Sequence, residues 1–168
     1  VQVESEEGHG TRFTIELELP IASEQQIHEK KENQIEELAK NLNGCRILLA
    51  EDNDLNAEIA MTILQEHGVQ VERAVNGEEC VEMLKAQTAD YYDAVLMDIQ
   101  MPVMNGYEAA RAIRALKRRD AESVPIIAMT ADAFVKDIQS AREAGMNGHM
   151  AKPLDYDSLS REISRYLG

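Results

Sequence analysis

Cys45-Arg46-Ile47-Leu48-Leu49-Ala50-Glu51-Asp52-Asn53-Asp54 starts as an apolar run and ends on adjacent carboxylates. A different pattern follows at once, with Leu55, Ile59 and Ile63 four residues apart. A short apolar run bounded by polar residues is the length of a buried strand, and a spacing of four is helical. Asp54 stands where a helix N-cap is wanted. The alternation itself, a short strand run followed by a helical run, repeats along the chain. Strands are predicted at 45–50, 69–75, 93–97, 125–129 and 148–151, and helices at 54–66, 77–86, 106–118, 133–144 and 156–167. Phe134, Ile138 and Ala141 keep the helical period, as do Leu159, Ile163 and Tyr166. Gly68 and Gly145 follow helices where positive φ is favoured. Five strands alternating with five helices predict an α/β, doubly wound, five-stranded parallel sheet of the flavodoxin-like order 2-1-3-4-5.

Upstream of Gly44 the pattern changes. Val1 and Val3, then Phe13, Ile15, Leu17 and Leu19, alternate around Glu6-Glu7-Gly8-His9-Gly10-Thr11, which predicts an N-terminal β-hairpin over residues 1–20. Two strands alone are marginal in water. Residues 21–43 are rich in Glu, Gln, Lys and Asn, with a thin stripe of Ile27, Ile35, Leu38 and Leu42, and are read as a polar, partly helical linker. Residues 44–168 form the main domain.

Charge and composition narrow the function. The 168 residues carry a formal net charge of −14. So acidic a chain does not bind nucleic acid directly, because phosphate contacts need Lys and Arg. No apolar stretch approaches membrane-spanning length, so this segment makes no membrane contact. Cys45 and Cys80 lie in apolar segments and read as small buried hydrophobes in a reducing, cytoplasmic compartment. The chain has no initiator Met and no signal peptide, as expected of a segment of a longer protein. Arg111, Arg114, Lys117, Arg118 and Arg119 read as a solvated helix face.

In a doubly wound sheet the crevice lies beyond the carboxyl ends of the strands. Those ends carry Glu51-Asp52, Asp98, Thr130 and Lys152-Pro153; the second strand ends in nothing comparable. Three carboxylates together raise one another's pKa unless a cation neutralises them. A hard divalent ion, Mg2+ or Mn2+, suits an all-oxygen set. With a lysine and a hydroxyl added, the site suits phosphoryl transfer, which depends on positioning and charge neutralisation. A carboxylate can itself be the nucleophile.

These residues carry a resemblance. Val95-Leu96-Met97-Asp98-Ile99-Gln100-Met101-Pro102-Val103-Met104-Asn105-Gly106 resembles the phosphorylation loop of two-component receiver domains. Leu48-Leu49-Ala50-Glu51-Asp52-Asn53 resembles their acidic pocket, Ile127-Ala128-Met129-Thr130-Ala131 their hydroxyl segment, and Lys152-Pro153 closes the set. The resemblance implies that Asp98 takes the phosphoryl group. It implies that Glu51, Asp52, Asp98 and the Gln100 carbonyl hold the metal. Thr130, the Ala131 amide and Lys152 would contact the phosphoryl oxygens. Thr130 and His149 would form the switch, and Gln100 and Asp132 would tune phosphoryl lifetime. Glu51 stands where many members have Asp, and His149 where they have Tyr or Phe. A cis Lys152–Pro153 bond is also expected.

Glu7-Gly8-His9-Gly10-Thr11 with Phe13 and the run to Pro20 resembles the end of a histidine-kinase ATP-binding domain. That order, a kinase remnant, a linker and a receiver, is the layout of a hybrid sensor histidine kinase. It implies a relay partnered by a phosphohistidine donor and a histidine-phosphotransfer protein, in the cytoplasmic portion of a parent that can be membrane-anchored. His9 and His28 read as turn and linker residues. This segment lacks the ATP site and a phosphorylatable His, so the only chemistry expected of it is phosphorylation and dephosphorylation of its own Asp. Partner surfaces are expected on the helix at 133–144, the strand of His149 and the last helix. Two other readings remain at this stage. One is a haloacid-dehalogenase-like phosphatase using Asp52 within Asp52-Asn53-Asp54; the other is a pseudo-receiver that only binds protein.

Overall fold

A computed structural model of the chain describes residues 2–6, 10–14, 42–130 and 135–167. The chain divides into two compact units, Val1–Asn33 and Gln34–Gly168. In the first, β1 (Gln2–Glu6) and β2 (Gly10–Thr14) pair antiparallel with Val3 opposite Phe13. This is the expected hairpin. Its tip at 7–9, including His9, the run 15–20 and the linker to residue 41, with His28, lie outside the described residues.

The second unit runs β3 (Arg46–Ala50), α1 (Asp54–Gln65), β4 (Gln70–Ala74), α2 (Gly77–Ala86), β5 (Ala94–Asp98), α3 (Gly106–Arg114), β6 (Ile126–Thr130), α4 (Val135–Glu143), β7 (Gly148–Ala151) and α5 (Tyr156–Ser164). The sheet order is β4-β3-β5-β6-β7 and all its pairings are parallel. Numbered within the sheet this is 2-1-3-4-5, as predicted. β5 and β6 are buried at every position, because helices cover both faces.

Side-chain alternation assigns the two cores. Leu48, Val95, Met97, Ile126 and Ala128 pack with Cys80, Leu84, Ala110 and Ile113 on the side of α2 and α3. Ile47, Leu49, Leu96, Ile127 and Met129 pack with Ala57, Ala60, Leu64, Leu159 and Ile163 on the side of α1 and α5. Successive strand residues thus serve opposite layers.

Several expectations need correction. Asn53, not Asp54, caps α1: its side chain accepts from the Asn56 amide at 3.0 Å. The Leu55–Ile59–Ile63 spacing is helical, but it marks the wrong face. Ala57, Ala60 and Leu64 face the core, while Leu55 and Ile59 are 64% and 45% exposed. α3 ends at Arg114, short of residue 118. The basic stretch from its last turn onward is partly structural. Arg114 donates to the carbonyls of Gly145 (2.8 Å) and Ala121 (2.7 Å) and to Asn147 Oδ1 (2.7 Å). Arg118 donates to the carbonyls of Leu84 and Thr88, near the end of α2, and pairs with buried Asp120. Guanidinium donors there satisfy carbonyls that a helix end leaves open. Cys80 is buried as expected, whereas Cys45 is only partly so. Gly68 and Gly145 take the expected positive φ, +79° and +90°. Among the described residues no helix is long and apolar enough to cross a membrane.

Candidate metal and phosphoryl site

The crevice is assembled from four strand ends. β3 leads into Glu51, which is 1% exposed, and then into exposed Asp52. β5 ends on buried Asp98, and β6 on buried Thr130. β7 leads to Lys152, whose amide donates to the Thr130 carbonyl at 2.8 Å and whose bond to Pro153 is cis.

Lys152 Nζ lies 2.6 Å from Glu51 Oε2 and 2.7 Å from Asp98 Oδ2, bridging the two carboxylates. Glu51 Oε1 accepts from Asn56 Nδ2 at 3.0 Å. Both oxygens of this buried carboxylate are therefore engaged, which satisfies a group that would be costly to bury bare. Asp98 Oδ1 accepts from the Gln100 amide at 3.2 Å.

Carboxylate oxygens of Glu51, Asp52 and Asp98 all lie within 4.8 Å of one another. That set fits a hard cation such as Mg2+. Burial, the largest influence on Asp98, raises its carboxyl above the ordinary aspartate value. Lys152 and the Gln100 amide pull it down, Glu51 pushes it up, and burial prevails. For Lys152, burial works against the ammonium, but the hydrogen bonds and charges of Asp98 and Glu51 outweigh it and hold the group above the ordinary lysine value. Asp98 thus rises despite an ion pair, because burial outweighs what Lys152 and the Gln100 amide return. A divalent ion would supply the missing charge.

The loop after Asp98 is tightly folded. The Gly106 amide donates to the Ile99 carbonyl at 3.0 Å, and a Cβ at position 106 would come within 2.2 Å of the Asp98 carbonyl oxygen. Only glycine lets α3 start so close under the site. A capping box of Asn105 and Glu108 secures that helix end. The methionines beside the site, Met97, Met101 and Met129, are buried core.

The structure therefore brings Glu51, Asp52, Asp98 and Lys152 together, with Thr130 at the adjoining strand end. Gln100 touches the cluster through its amide, and its residue is exposed. His149 is exposed on β7 opposite Ala128, two residues before the level of Thr130. Ala131 and Asp132, with Phe134, lie outside the described residues. Two contributors escaped the sequence reading. Asn56 carries no signal beyond lying five residues after Glu51. Arg73 belongs to the strand credited with nothing: its Nε donates to the Glu51 carbonyl at 3.0 Å and its Nη2 to the Asp52 carbonyl at 3.2 Å. β4 thus reaches the site by a long side chain from inside the strand.

Residues 47–164 match the family of the response regulator receiver domain. The chain is 45% identical over 114 residues to hybrid signal transduction histidine kinase M of Dictyostelium discoideum, covering 67% of this chain and 5% of that protein. Over 167 residues it is 33% identical to the aerobic respiration control sensor protein ArcB of Escherichia coli, covering 99% of this chain and 20% of that one. The chain therefore spans a fifth or less of these relatives. Among solved structures it resembles the receiver domain of a sensor histidine kinase from Pseudomonas aeruginosa with a magnesium ion coordinated in its active site cleft. The TM-score is 0.67 and the identity 39%, over 74% of this chain and 98% of that one. It also resembles a chain in the complex of the Saccharomyces cerevisiae histidine phosphotransfer signaling protein Ypd1 with the receiver domain of Ssk1. There the TM-score is 0.67 and the identity 31%, over 74% of this chain and 90% of that one.

Proposed function

This chain belongs to the response regulator receiver domain family, and on that footing we propose that Asp98 is its phosphoacceptor, within the receiver of a hybrid sensor histidine kinase. The observation that carries the reading is the buried Asp98 carboxylate, bridged by Lys152 to Glu51 and within metal-sharing distance of Asp52. Asp98 Oδ attacks the phosphorus of a phosphohistidine. The new P–O bond forms as the P–N bond breaks, and the donor leaves as its imidazole. Mg2+, held by Glu51, Asp52, Asp98 and the Gln100 carbonyl, would neutralise charge on the phosphoryl oxygens. Lys152 swings from its carboxylates to those oxygens. Thr130 and the Ala131 amide take the rest, His149 follows as the switch residue, and Gln100 and Asp132 set how readily water attacks the acyl phosphate. The ATP site and donor histidine belong to the parent, and a histidine-phosphotransfer protein is the next acceptor.

The dehalogenase-like alternative loses support from the geometry. Asp52 is exposed and Asn53 is a helix cap. Asp54 is 93% exposed and paired with Arg73. Asp98, by contrast, is buried and bound to Lys152. The test is mass spectrometry after treatment with acetyl phosphate and Mg2+. A single phosphoryl adduct on the Asp98 peptide, absent from Asp98→Asn, is expected; labelling that survives the substitution would refute the assignment.

A further inference from the structure

We propose that Arg73 is a positioning residue for the metal site, holding the main chain of the acidic turn from the edge strand so that Glu51 and Asp52 project into the crevice. This rests on reading the crevice as an Mg2+ site.

The Arg73 guanidinium makes three contacts, all to one turn. Nε donates to the Glu51 carbonyl at 3.0 Å and Nη2 to the Asp52 carbonyl at 3.2 Å, while Nη2 also lies 2.8 Å from Asp54 Oδ1. The Glu51 amide already donates to the Ala74 carbonyl at 3.0 Å, where the strand pairing ends. Glu51 is thus tied to β4 on both sides, by backbone through its N–H and by Arg73 through its carbonyl. Fixing two successive carbonyls fixes the peptide planes between which the Asp52 side chain leaves the chain. The turn is otherwise at risk, because β3 has ended and α1 begins only at Asp54. The Arg73 side chain is 21% exposed, against 93% for Asp54; of its contacts, the bond to the Glu51 carbonyl is the sheltered one and the bond to the Asp52 carbonyl lies at the surface. A planar fork of donors suits this task, and a lysine would reach at most part of it.

Arg73 could instead act through its charge, and the two roles have opposite signs. A cation beside the acids repels Mg2+, so losing the charge would tighten binding. Losing the clamp would loosen it. Calorimetric titration of Mg2+ into the metal-stripped 168-residue chain, with Arg73→Lys and Arg73→Gln beside the wild type, separates them. If Arg73 positions the turn, both variants bind Mg2+ on the order of 10-fold more weakly, as for other groups that orient ligands from behind. Arg73→Lys weakens although its charge is kept. Tighter binding by Arg73→Gln with unchanged binding by Arg73→Lys would overturn the proposal in favour of a field effect. A lower melting temperature with wild-type Kd in both would overturn it in favour of a fold-only role. Arg73→Lys, the milder change at an edge strand, decides the matter if Arg73→Gln does not fold. A wild-type chain that binds no Mg2+ would overturn both this role and the reading of the crevice.

Discussion

At the scale of single residues, Asp98 is a carboxylate kept in readiness at a cost to stability. Its carboxyl is raised, chiefly by burial, so the folded chain binds that proton more tightly than the unfolded chain does. The linkage sign follows: above the raised value the ionised Asp98 destabilises the fold, and the penalty fades as pH falls through it. Asp120 works in the opposite sense. Its hydrogen bond from Arg118 leads the causes that lower its carboxyl, so its contribution is present above the ordinary aspartate value and is lost as pH drops below it. Removing the Asp98 charge should therefore stabilise the metal-free chain. Asp98→Asn is expected to melt a few degrees above the wild type at neutral pH, the scale of ~1 kcal/mol in a chain of this size. The gap should close as the solution is acidified through the raised Asp98 value, and adding Mg2+ should stabilise the wild type more than the variant. Thermal melts across pH, with EDTA or Mg2+, check this; a wild type that melts above the variant at neutral pH without metal would contradict it.

At the scale of elements, α1 shows where sequence reading succeeds and where it stops. Leu55, Ile59 and Ile63 made the helix legible, because a period of four is a property of the backbone. Which face turned inward was not legible, because small Ala57 and Ala60 sit closest to the sheet and leave the larger side chains outside. The strand ends were legible for a related reason: apolar runs must end, and the polar residue after each one stands at the crevice. Arg73 and Asn56 were hidden because their links to the acidic turn are tertiary and follow no period. The inverted face of α1 has a functional reading. Exposed Ile59 lines a groove with Asn56, Lys152, Pro153 and Leu154 at the rim of the phosphoryl site, and exposed Leu55 precedes Asn56 on the same helix. A partner that brings a phosphohistidine to Asp98 would bury them, and burying side chains of this kind stabilises by about 1.5–3 kcal/mol each. Leu55→Asp with Ile59→Asp should slow transfer from a phosphohistidine donor by on the order of 100-fold or more. Labelling by acetyl phosphate, which needs no docking surface, should stay near the wild-type rate. Equal losses with both donors would mean that the substitutions damage the site itself.

At the scale of the whole molecule, the question is how much chain the receiver fold needs. The family match begins at residue 47 and the sheet at Arg46. Yet Leu42, read from the sequence as part of a thin linker stripe, is fully buried with Ile47, Leu64 and Val69. Its carbonyl accepts the Cys45 amide at 3.1 Å, and the Gly44 amide donates to the Gly68 carbonyl at 2.9 Å. Residues 42–45 therefore close the core beneath the start of β3 and join it to the turn after α1. A chain starting at Asn41 keeps that plug, and one starting at Cys45 loses it. Opening a leucine-sized hole in a packed core costs about 2–5 kcal/mol, a large part of what holds a domain of this size together. The longer chain, starting at Asn41, should unfold cooperatively in urea, close to the receiver transition of the intact chain, and bind Mg2+ with similar affinity. The shorter one should unfold at distinctly lower urea, and Leu42→Ala in the full chain should reproduce most of that loss. If the two truncations unfold at the same urea concentration, Leu42 fills no essential place and the receiver core closes without it.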